Sequence, residues 1–351
     1  MPSLSAVRAS NTQGLRAAIP RITALFVGGT TGIGRSTLRQ LALHADRPTA
    51  YVVGRSEARA EPLLAELRRL NPGGHFDFIE MDVSLIRNVD AVCAYVRNKE
   101  RERDGGRGLN LLFMTPGGVP VSGRRETNEG LDSLLALRYY SRMRFIQNLL
   151  PLLESPDNPG PSRVVSVLGG GLESRIDRQD LDLKRSYSVL RCAGHAITMT
   201  SLSMEHLAAV HTSVGFLHVF PWLVGGTNIY RNSFPAPVVQ FVNYIVWPLL
   251  MRPFAVDLAE SGERNLFHST SAWYPSRDKG QKTNQGVPIP KGELEGVAIG
   301  SNGEPGSGAY LLNWKGEGRA GGKTMRRYRE EGMPETVWKH TVELLDGTVK
   351  R

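Results

Sequence analysis

Cysteine is scarce in this chain: only Cys93 and Cys192 occur among 351 residues. So few thiols exclude a scaffold built on disulfides and are typical of a reducing compartment. The cysteines and the eight histidines show none of the spacings of a zinc site. We therefore expect a cytoplasmic protein that carries no metal.

Long hydrophobic runs are also missing. Residues 1–20 contain no continuous apolar segment, which argues against a secretory signal, and we expect them to form a frayed N-terminal arm. The apolar stretch 234–254 contains Gln240, Asn243 and four prolines and falls short of the ~20 residues that cross a bilayer. Our first interpretation is an apolar cap over a substrate pocket, and peripheral membrane contact is the second.

The charge balance does not indicate a nucleic-acid partner. The formal net charge is +9, from 43 Lys and Arg against 34 Asp and Glu, but the basic residues are spread along the chain. No basic stripe is interleaved with aromatic residues, so we interpret the excess as a solvated basic surface. The expected partner is a small molecule and not a nucleic acid.

The most informative motif lies at residues 22–43. The apolar segment 25–27 runs into a glycine loop at 28–34, and a helical pattern follows. Glycines let the backbone approach a ligand, and the start of the helix offers unpaired N–H groups to a pyrophosphate. The sequence therefore predicts a strand, loop and helix that bind a nucleotide cofactor. The predicted contacts are Gly28, Thr30, Thr31, Gly32, Ile33 and Gly34.

Apolar segments alternate with helical patterns along the rest of the chain. This alternation predicts an α/β fold, a Rossmann-like doubly wound parallel sheet buried on both faces. The further strands are predicted at 48–56, 75–84, 109–118, 162–171, 212–221 and 309–314, with helices at 127–153, 187–209 and near 335–345. We expect one domain, with an N-terminal arm (1–20), a dinucleotide-binding core (21–230), an apolar substrate cap and irregular loop (231–308), and a last strand and C-terminal helix (309–351).

The glycine spacing is G-x-x-x-G-x-G, through Gly28, Gly32 and Gly34, and differs from the common G-x-G-x-x-G fingerprint. It resembles the short-chain dehydrogenase/reductase family, over roughly residues 22–230. The chain looks like an extended, fungal member of the kind found in natural-product pathways. The resemblance implies a nicotinamide cofactor and a capacity to form homo-oligomers.

The residues after the second predicted strand favour NADP(H). An acid there would hold the ribose 2′-OH, but Gly54 occupies the position, and Arg55 with Ser56 can pair with a 2′-phosphate. The resemblance assigns Asp82 to an adenine contact, although an acid at a helix N-terminus is an alternative interpretation.

Two further positions are assigned by the resemblance alone. The family's Asn-Asn-Ala-Gly is replaced by residues 114–117, so Gly117 keeps its packing against the adenosine side while the asparagine hydrogen bonds are expected to be lost. After the sixth predicted strand, Thr227 is the expected contact for the carboxamide of the cofactor.

The catalytic pattern of the family is altered. Its members use a tyrosine, a lysine four residues later on the same helix face, a serine and an asparagine. The best match here is Tyr187 with Arg191, which keeps a positive charge but cannot readily relay a proton. A second register places Ser188 and Cys192 at these positions and leaves no acid/base pair.

The remaining catalytic positions are also changed. The family serine falls near residues 168–169, so Ser166 is the nearest hydroxyl, and the asparagine position holds Arg138. His195, on the same predicted helix as Tyr187, is the leading histidine candidate for proton transfer.

These features predict an NADP(H)-dependent oxidoreductase that acts on a carbonyl or alcohol of a bulky, lipophilic substrate. The degenerate catalytic positions keep two alternatives open: a non-redox enzyme such as an isomerase or cyclase, and a non-catalytic NADP-binding protein. The aromatic residues expected in the substrate cap are Trp222, Phe234, Phe241, Tyr244, Trp247 and Phe254.

Overall fold

A seven-stranded, fully parallel sheet forms the centre of the molecule, with the order β3-β2-β1-β4-β5-β6-β7. The computed structural model describes residues 2–103, 108–118, 123–158, 160–227, 236–241, 247, 251–278, 286–289 and 292–349. The strands are β1 Thr23–Val27, β2 Thr49–Gly54, β3 His75–Glu80, β4 Leu111–Met114, β5 Ser162–Val167, β6 Val214–Val219 and β7 Ala309–Leu312. The Rossmann-like fold predicted from the alternating pattern is therefore confirmed.

Helices cover both faces of this sheet. They are α1 Leu4–Ala9, α2 Leu15–Ala18, α3 Gly32–His44, α4 Glu57–Leu70, α5 Ile86–Glu102, α6 Ser133–Leu135, α7 Ser141–Leu153, α8 Val189–Val210, α9 Ala236–Phe241, α10 Leu258–Thr270, α11 Lys323–Glu330 and α12 Met333–Val349. Two π-helical turns, Ser10–Gly14 and Ala136–Tyr140, join α1 to α2 and α6 to α7. The strand and helix ends lie within a few residues of the predicted ones, except in the long helix, which begins at Ser133.

The two faces of the sheet carry separate hydrophobic cores, because successive strand residues point to opposite sides. Leu25 and Val27 of β1 pack with α5, α7, α8 and α12. Ala24 and Phe26 pack with the N-terminal helices, α3, α4 and α10. Burial on both faces explains why the central strands are continuously apolar.

The strand order reverses between β1 and β4, which pair with each other while their sequence neighbours lead away in opposite directions. In an open parallel sheet, ligands bind at such a switch point, outside the carboxyl ends of the strands. The loops after β1, β4 and β5 meet there, which places the glycine loop at the centre of the candidate site.

Residues 2–20 are not the frayed arm that was expected. Leu15 and Ile19 are fully buried against the sheet, and the Asn11 side chain donates a hydrogen bond of 2.9 Å to the Glu263 carbonyl of α10. The Arg8 guanidinium also pairs with the Glu263 carboxylate at 3.0 Å. The lack of a continuous apolar segment was misleading, because α10 supplies a partner surface that the local sequence does not reveal.

Helix α10 itself was not predicted. Its N-cap is Asp257, whose carboxylate accepts hydrogen bonds from the Ala259 and Glu260 N–H groups, and it packs against α3. The Ser36 hydroxyl of α3 donates to the Leu258 carbonyl at 2.7 Å. Many of its buried residues are polar, so the usual apolar periodicity is weak.

The expected apolar cap is described only in part. Phe234 and Tyr244 lie outside the described residues, as does the side chain of Phe241. Trp222 and Phe254 are 50% and 72% exposed, and the Trp222 indole donates to the Phe254 carbonyl at 3.0 Å. Within the parts of the chain that are described, no helix has the length and apolar character needed to cross a bilayer.

Candidate active site

The glycine loop adopts backbone conformations that require glycine. Gly28 and Gly32 have φ values of +83° and +55°. A Cβ on Gly34 would lie 2.4 Å from the Gly28 carbonyl oxygen, so helix α3 can approach the loop only because this side chain is absent. Helix α3 starts at Gly32, and the side chain of its N-cap, Thr31, makes no capping hydrogen bond. The start of α3 therefore retains unpaired N–H groups for an anion.

A cavity of about 570 Å³ lies beside this loop, at the carboxyl ends of the strands. It brings together ten of the sequence-predicted residues: Gly28, Thr30, Thr31, Gly32, Ile33, Arg55, Asp82, Gly117, Tyr187 and Thr227. Gly34 lies behind the loop and supports it, and Ser56 is the N-cap of α4; neither lines the cavity.

The absence of an acid after β2 has a steric reason as well. A Cβ on Gly54 would lie 2.8 Å from Thr30 Cγ2 and 3.0 Å from the Phe78 ring, so no carboxylate side chain fits there. Arg55, the next residue, is exposed at the cavity rim. This end of the cavity therefore presents a cation where NAD-specific sites present an acid.

Asp82 lies in the turn before α5, whose N-cap is Leu85, and its contact with adenine stays a prediction. The carboxylate lines the cavity and also accepts a hydrogen bond of 3.0 Å from the Ser84 N–H in the turn before α5. The side-chain position is therefore fixed by a backbone contact while one carboxylate edge stays open to the cavity.

The loop after β4 makes a side-chain hydrogen bond of its own. The side-chain hydrogen bonds of the replaced asparagines were expected to be lost, but the Thr115 hydroxyl donates to the Gly28 carbonyl at 3.0 Å. This bond ties the end of β4 to the glycine loop.

Thr227 lies across the cavity from the start of α3. Its hydroxyl donates to the Val224 carbonyl at 2.9 Å, and its Cγ2 would be 3.5 Å from a Cβ built on Gly32. The gap between Thr227 and Gly32 is thus the width of one methyl group, and it stays open because residue 32 is glycine.

Tyr187 and Arg191 do not share a helix face, contrary to the prediction. Tyr187 precedes the N-cap of α8, which is Ser188, and its ring lines the cavity. Arg191 is exposed and donates to the Ser186 carbonyl at 3.2 Å, outside the cavity. The helix begins two residues after Tyr187, so the i,i+4 geometry assumed from the spacing does not apply.

Cys192, which the second register placed at the lysine position, lies near Tyr187. Its thiol donates a hydrogen bond of 3.9 Å to Asp132 Oδ1. Burial, followed by the nearby Cys192 and Asp132, raises the pKa of Tyr187. Burial raises the pKa of Cys192 to about 11. The pair is therefore neutral at physiological pH, with Tyr187 as an intact phenol.

Ser166 is not at the cavity surface. It is fully buried on β5, where its hydroxyl accepts a hydrogen bond of 2.5 Å from Arg142 Nη1. Leu168 takes the place at the cavity wall where the family serine was expected. The sequence gives the correct strand, but alternation along the strand points Ser166 inward.

His195 is also outside the cavity. Its Nε2 accepts a hydrogen bond of 2.9 Å from the Asp177 N–H, and its Nδ1 lies 3.3 Å from the Leu181 carbonyl. Burial lowers the pKa of His195, so the ring is neutral. Both nitrogens hold the segment before α8, which leaves none for substrate.

Three residues at the site were not identified from the sequence. Asp132 caps α6 through the Leu134 and Leu135 N–H groups and lines the cavity. Arg142 is 1% exposed and lies at the same cavity end as Arg138. The third residue is Thr115, whose hydroxyl donates to the Gly28 carbonyl. For Arg142, the sequence did contain a signal: a charged residue lies on the apolar face of a predicted helix, where an uncompensated charge is costly.

The chain belongs to the short-chain dehydrogenase/reductase family of oxidoreductases. The short chain dehydrogenase family model matches residues 22–168. Oxidoreductase AN1596 of Emericella nidulans is 61% identical over 351 residues, 100% of both chains. Oxidoreductase andH of Emericella variicolor is 40% identical over 97% of this chain and 96% of its own. The family implies that the cavity binds a nicotinamide cofactor.

Solved structures show the same fold. L-sorbose reductase from Gluconobacter frateurii, complexed with NADPH and L-sorbose, is 15% identical over 81% of this chain and 100% of its own, with a TM-score of 0.53. A putative uncharacterized protein from Mycobacterium paratuberculosis is 18% identical over 95% of this chain and 98% of its own, with a TM-score of 0.55.

Proposed function

We propose that this protein is an NADP(H)-dependent oxidoreductase that acts on a carbonyl or alcohol group of a bulky, lipophilic small molecule of the secondary-metabolite kind. The observation that carries the proposal is the meeting of the glycine loop and Tyr187 in one cavity. The loop can hold a pyrophosphate, and Tyr187 is a proton donor at the opposite end of the same space.

The cofactor preference rests on Arg55 and Gly54. Gly54 leaves no room for the acid that would select a ribose 2′-OH, and the Arg55 guanidinium at the rim can pair with a 2′-phosphate. The pyrophosphate would lie at the start of α3, against the N–H groups of Gly32 and Ile33. The carboxamide would lie near Thr227.

The cofactor, when bound, supplies the hydride. Tyr187 then donates its phenolic proton to the oxygen of the reduced carbonyl. Burial keeps this phenol protonated, so it is available as the proton donor that reduction requires. The nearby Cys192, like burial, raises the pKa of this phenol. Arg138, next to Tyr187, favours negative charge at the reacting oxygen.

Four apolar side chains lie at the Tyr187 end of the cavity, beside Arg138 and Arg142. Leu134, Leu137, Val167 and Leu168 line this end, which supports a lipophilic substrate. We further propose a cytoplasmic location, because the cysteines at 93 and 192 are both free and buried. Homo-oligomer formation and peripheral membrane contact remain predictions.

A second candidate is a reaction without net redox change, such as isomerisation or cyclisation, or binding of NADP without catalysis. It is favoured by the position of Arg191 outside the cavity and by Leu168 at the serine position. The family lysine and serine therefore have no side-chain counterparts at this end of the cavity among the described residues.

The cofactor proposal is tested by titrating the pure protein with NADPH and NADH and following nucleotide fluorescence. We expect NADPH to bind at least about tenfold more tightly, a difference of about 1.4 kcal/mol. Arg55→Asp should abolish or reverse this preference. Arg59→Asp is the matched control, since it makes the same charge change on the exposed side of α4, away from the cavity. Equal affinities for the two nucleotides in the wild type would contradict the proposal.

The redox proposal is tested separately with NADPH and a panel of lipophilic ketones. Consumption of NADPH together with formation of the alcohol is expected. Substrate turnover without loss of NADPH would favour the isomerase or cyclase. Tight NADPH binding without any turnover across the panel would favour the non-catalytic alternative.

A further inference from the structure

Two arginines lie at the Tyr187 end of the cavity without acidic partners. Arg138 is in the π-helical turn before α7, and Arg142 follows one turn later; both line the cavity. Among the described residues, neither forms an ion pair with a carboxylate within 4 Å. Two like charges four residues apart repel each other. Holding both of them in one cavity therefore requires a compensating negative charge.

The hydrogen bonds of Arg142 all go to uncharged groups. Its guanidinium donates to the Ser166 hydroxyl, to the Val167 carbonyl at 3.1 Å and to the Pro116 carbonyl at 2.5 Å. Its Nε has no hydrogen-bond partner, although the side chain is almost completely buried. A guanidinium buried without a counter-ion is costly, and a ligand anion at its cavity-lining edge would offset that cost.

Arg138 shows the same incomplete coordination. Its Nη2 donates to the Gly118 carbonyl at 2.5 Å, while its buried Nε has no partner. Burial lowers the pKa of Arg138, and only Cys192 and Tyr187 oppose that effect. Burial and the charge of Arg138 lower the pKa of Arg142 to about 9. In the described parts of the chain, no carboxylate forms an ion pair with either cation.

The one acid nearby is already in use. Asp132 accepts hydrogen bonds from the Leu134 and Leu135 N–H groups through one oxygen and from the Arg125 N–H through the other. Its carboxylate is stabilised by the N–H groups at the start of a helical segment, and its single negative charge is smaller than the two positive charges of Arg138 and Arg142. The cavity end thus retains an excess of positive charge.

We propose that Arg138 and Arg142 form a receptor for an anionic oxygen group of the substrate, such as a carboxylate or the enolate or phenolate of an acidic hydroxyl. The substrate would then be amphiphilic, with its anionic oxygen on the guanidinium groups and its apolar body against Leu134 and Leu137. This inference rests on the proposed function, because it names the substrate class of the same cavity.

The cofactor phosphates are a less suitable source of this charge. Arg142 contacts the carboxyl ends of β4 and β5, through Met114, Pro116 and Val167, whereas the phosphate-binding loop follows β1. That loop offers its own helix start, and Arg55 offers a cation at the other end of the cavity.

The test compares benzoate with its neutral counterpart, benzamide, as probes of the NADPH complex in phosphate-free buffer, by calorimetry. NADPH binding is measured first in the same samples, so that failure of the cofactor proposal is seen separately; benzoate is then also titrated into the protein without NADPH. We expect benzoate to bind at least about tenfold more tightly than benzamide.

Arg138→Gln, which keeps a donor but removes the charge, should eliminate this preference, and Arg142→Met should do the same if it folds. Arg144→Met is the matched control: it removes a charge from the same helix, but Arg144 pairs with Asp90 and does not line the cavity. It should leave the preference unchanged.

Three results would overturn the inference. The first is affinity for benzamide within about threefold of that for benzoate, or no saturation by benzoate up to about 20 mM. The second is an unchanged preference in folded Arg138→Gln. The third is a loss of NADPH affinity in the Arg138 and Arg142 variants with the benzoate preference intact, which would assign the guanidinium groups to the cofactor.

Discussion

Replacing Gly32 with valine should abolish NADPH binding while the fold survives. At φ +55°, a side chain at position 32 is strained, which costs about 1–2 kcal/mol. The same position is sterically open: a Cβ there meets only Thr227 among the described residues, at 3.5 Å. The variant should therefore remain folded, because this cost is small beside the ~5–15 kcal/mol stability of a typical domain.

The effect on binding should be much larger. The valine side chain would project from the start of α3, where the pyrophosphate is proposed to lie, and it would also close the gap to Thr227. Displacement of the pyrophosphate from the helix start should weaken NADPH binding at least about 100-fold, or about 2.7 kcal/mol.

The assay is calorimetric titration with NADPH, accompanied by thermal unfolding. Gly130→Val is the matched control, since Gly130 has φ +76°, has open surroundings among the described residues and does not line the cavity. It should carry the same strain and keep wild-type affinity. If folded Gly32→Val binds NADPH within about threefold of the wild type, the loop is a structural turn and the reasoning is refuted.

Tyr187→Phe should lower turnover by roughly 10²-fold with nearly unchanged NADPH affinity. Tyr95→Phe, at the surface, is the control and should change neither quantity. Full activity of Tyr187→Phe would assign the proton to another donor. Because the pKa of Tyr187 is raised, the rate of reduction should not fall below about pH 10 through loss of this proton donor. A fall in rate at lower pH that Tyr187→Phe abolishes would contradict the assignment. Burial lowers the pKa of His218 and His268 to about 3. Below about pH 6.5 the unfolded state therefore binds more protons than the folded state. The urea concentration at the unfolding midpoint should decrease as the pH is lowered from about 6.5 to 4, and a constant midpoint would refute this.

Local sequence was sufficient where a single chemical requirement acts on neighbouring residues. The apolar runs at 23–27 and 49–54 could only be buried strands, and the spacing of Gly28, Gly32 and Gly34 predicted a loop that approaches a ligand. Arg55 beside Gly54 predicted the cation at the rim of the cavity. These signals depend on period, backbone freedom and charge, all of which are readable in the chain itself.

The catalytic end was not determined in this way. Whether Tyr187 and Arg191 share a face depended on where α8 begins, and the Ser188 cap placed that start after the tyrosine. Ser166 and His195 were assigned by type, but their hydrogen bonds to Arg142 and Asp177 place them behind the cavity wall.

What the sequence by itself determined is the parallel sheet, the nucleotide loop and the family, because each follows from patterns within short segments. What only the tertiary structure decided is which distant side chains meet: α10 with α3 and the N-terminal helices, Cys192 with Asp132, and Arg142 with the ends of β4 and β5. Such pairings join residues far apart in the chain, and their energies come from burial and polar contacts that no local pattern encodes.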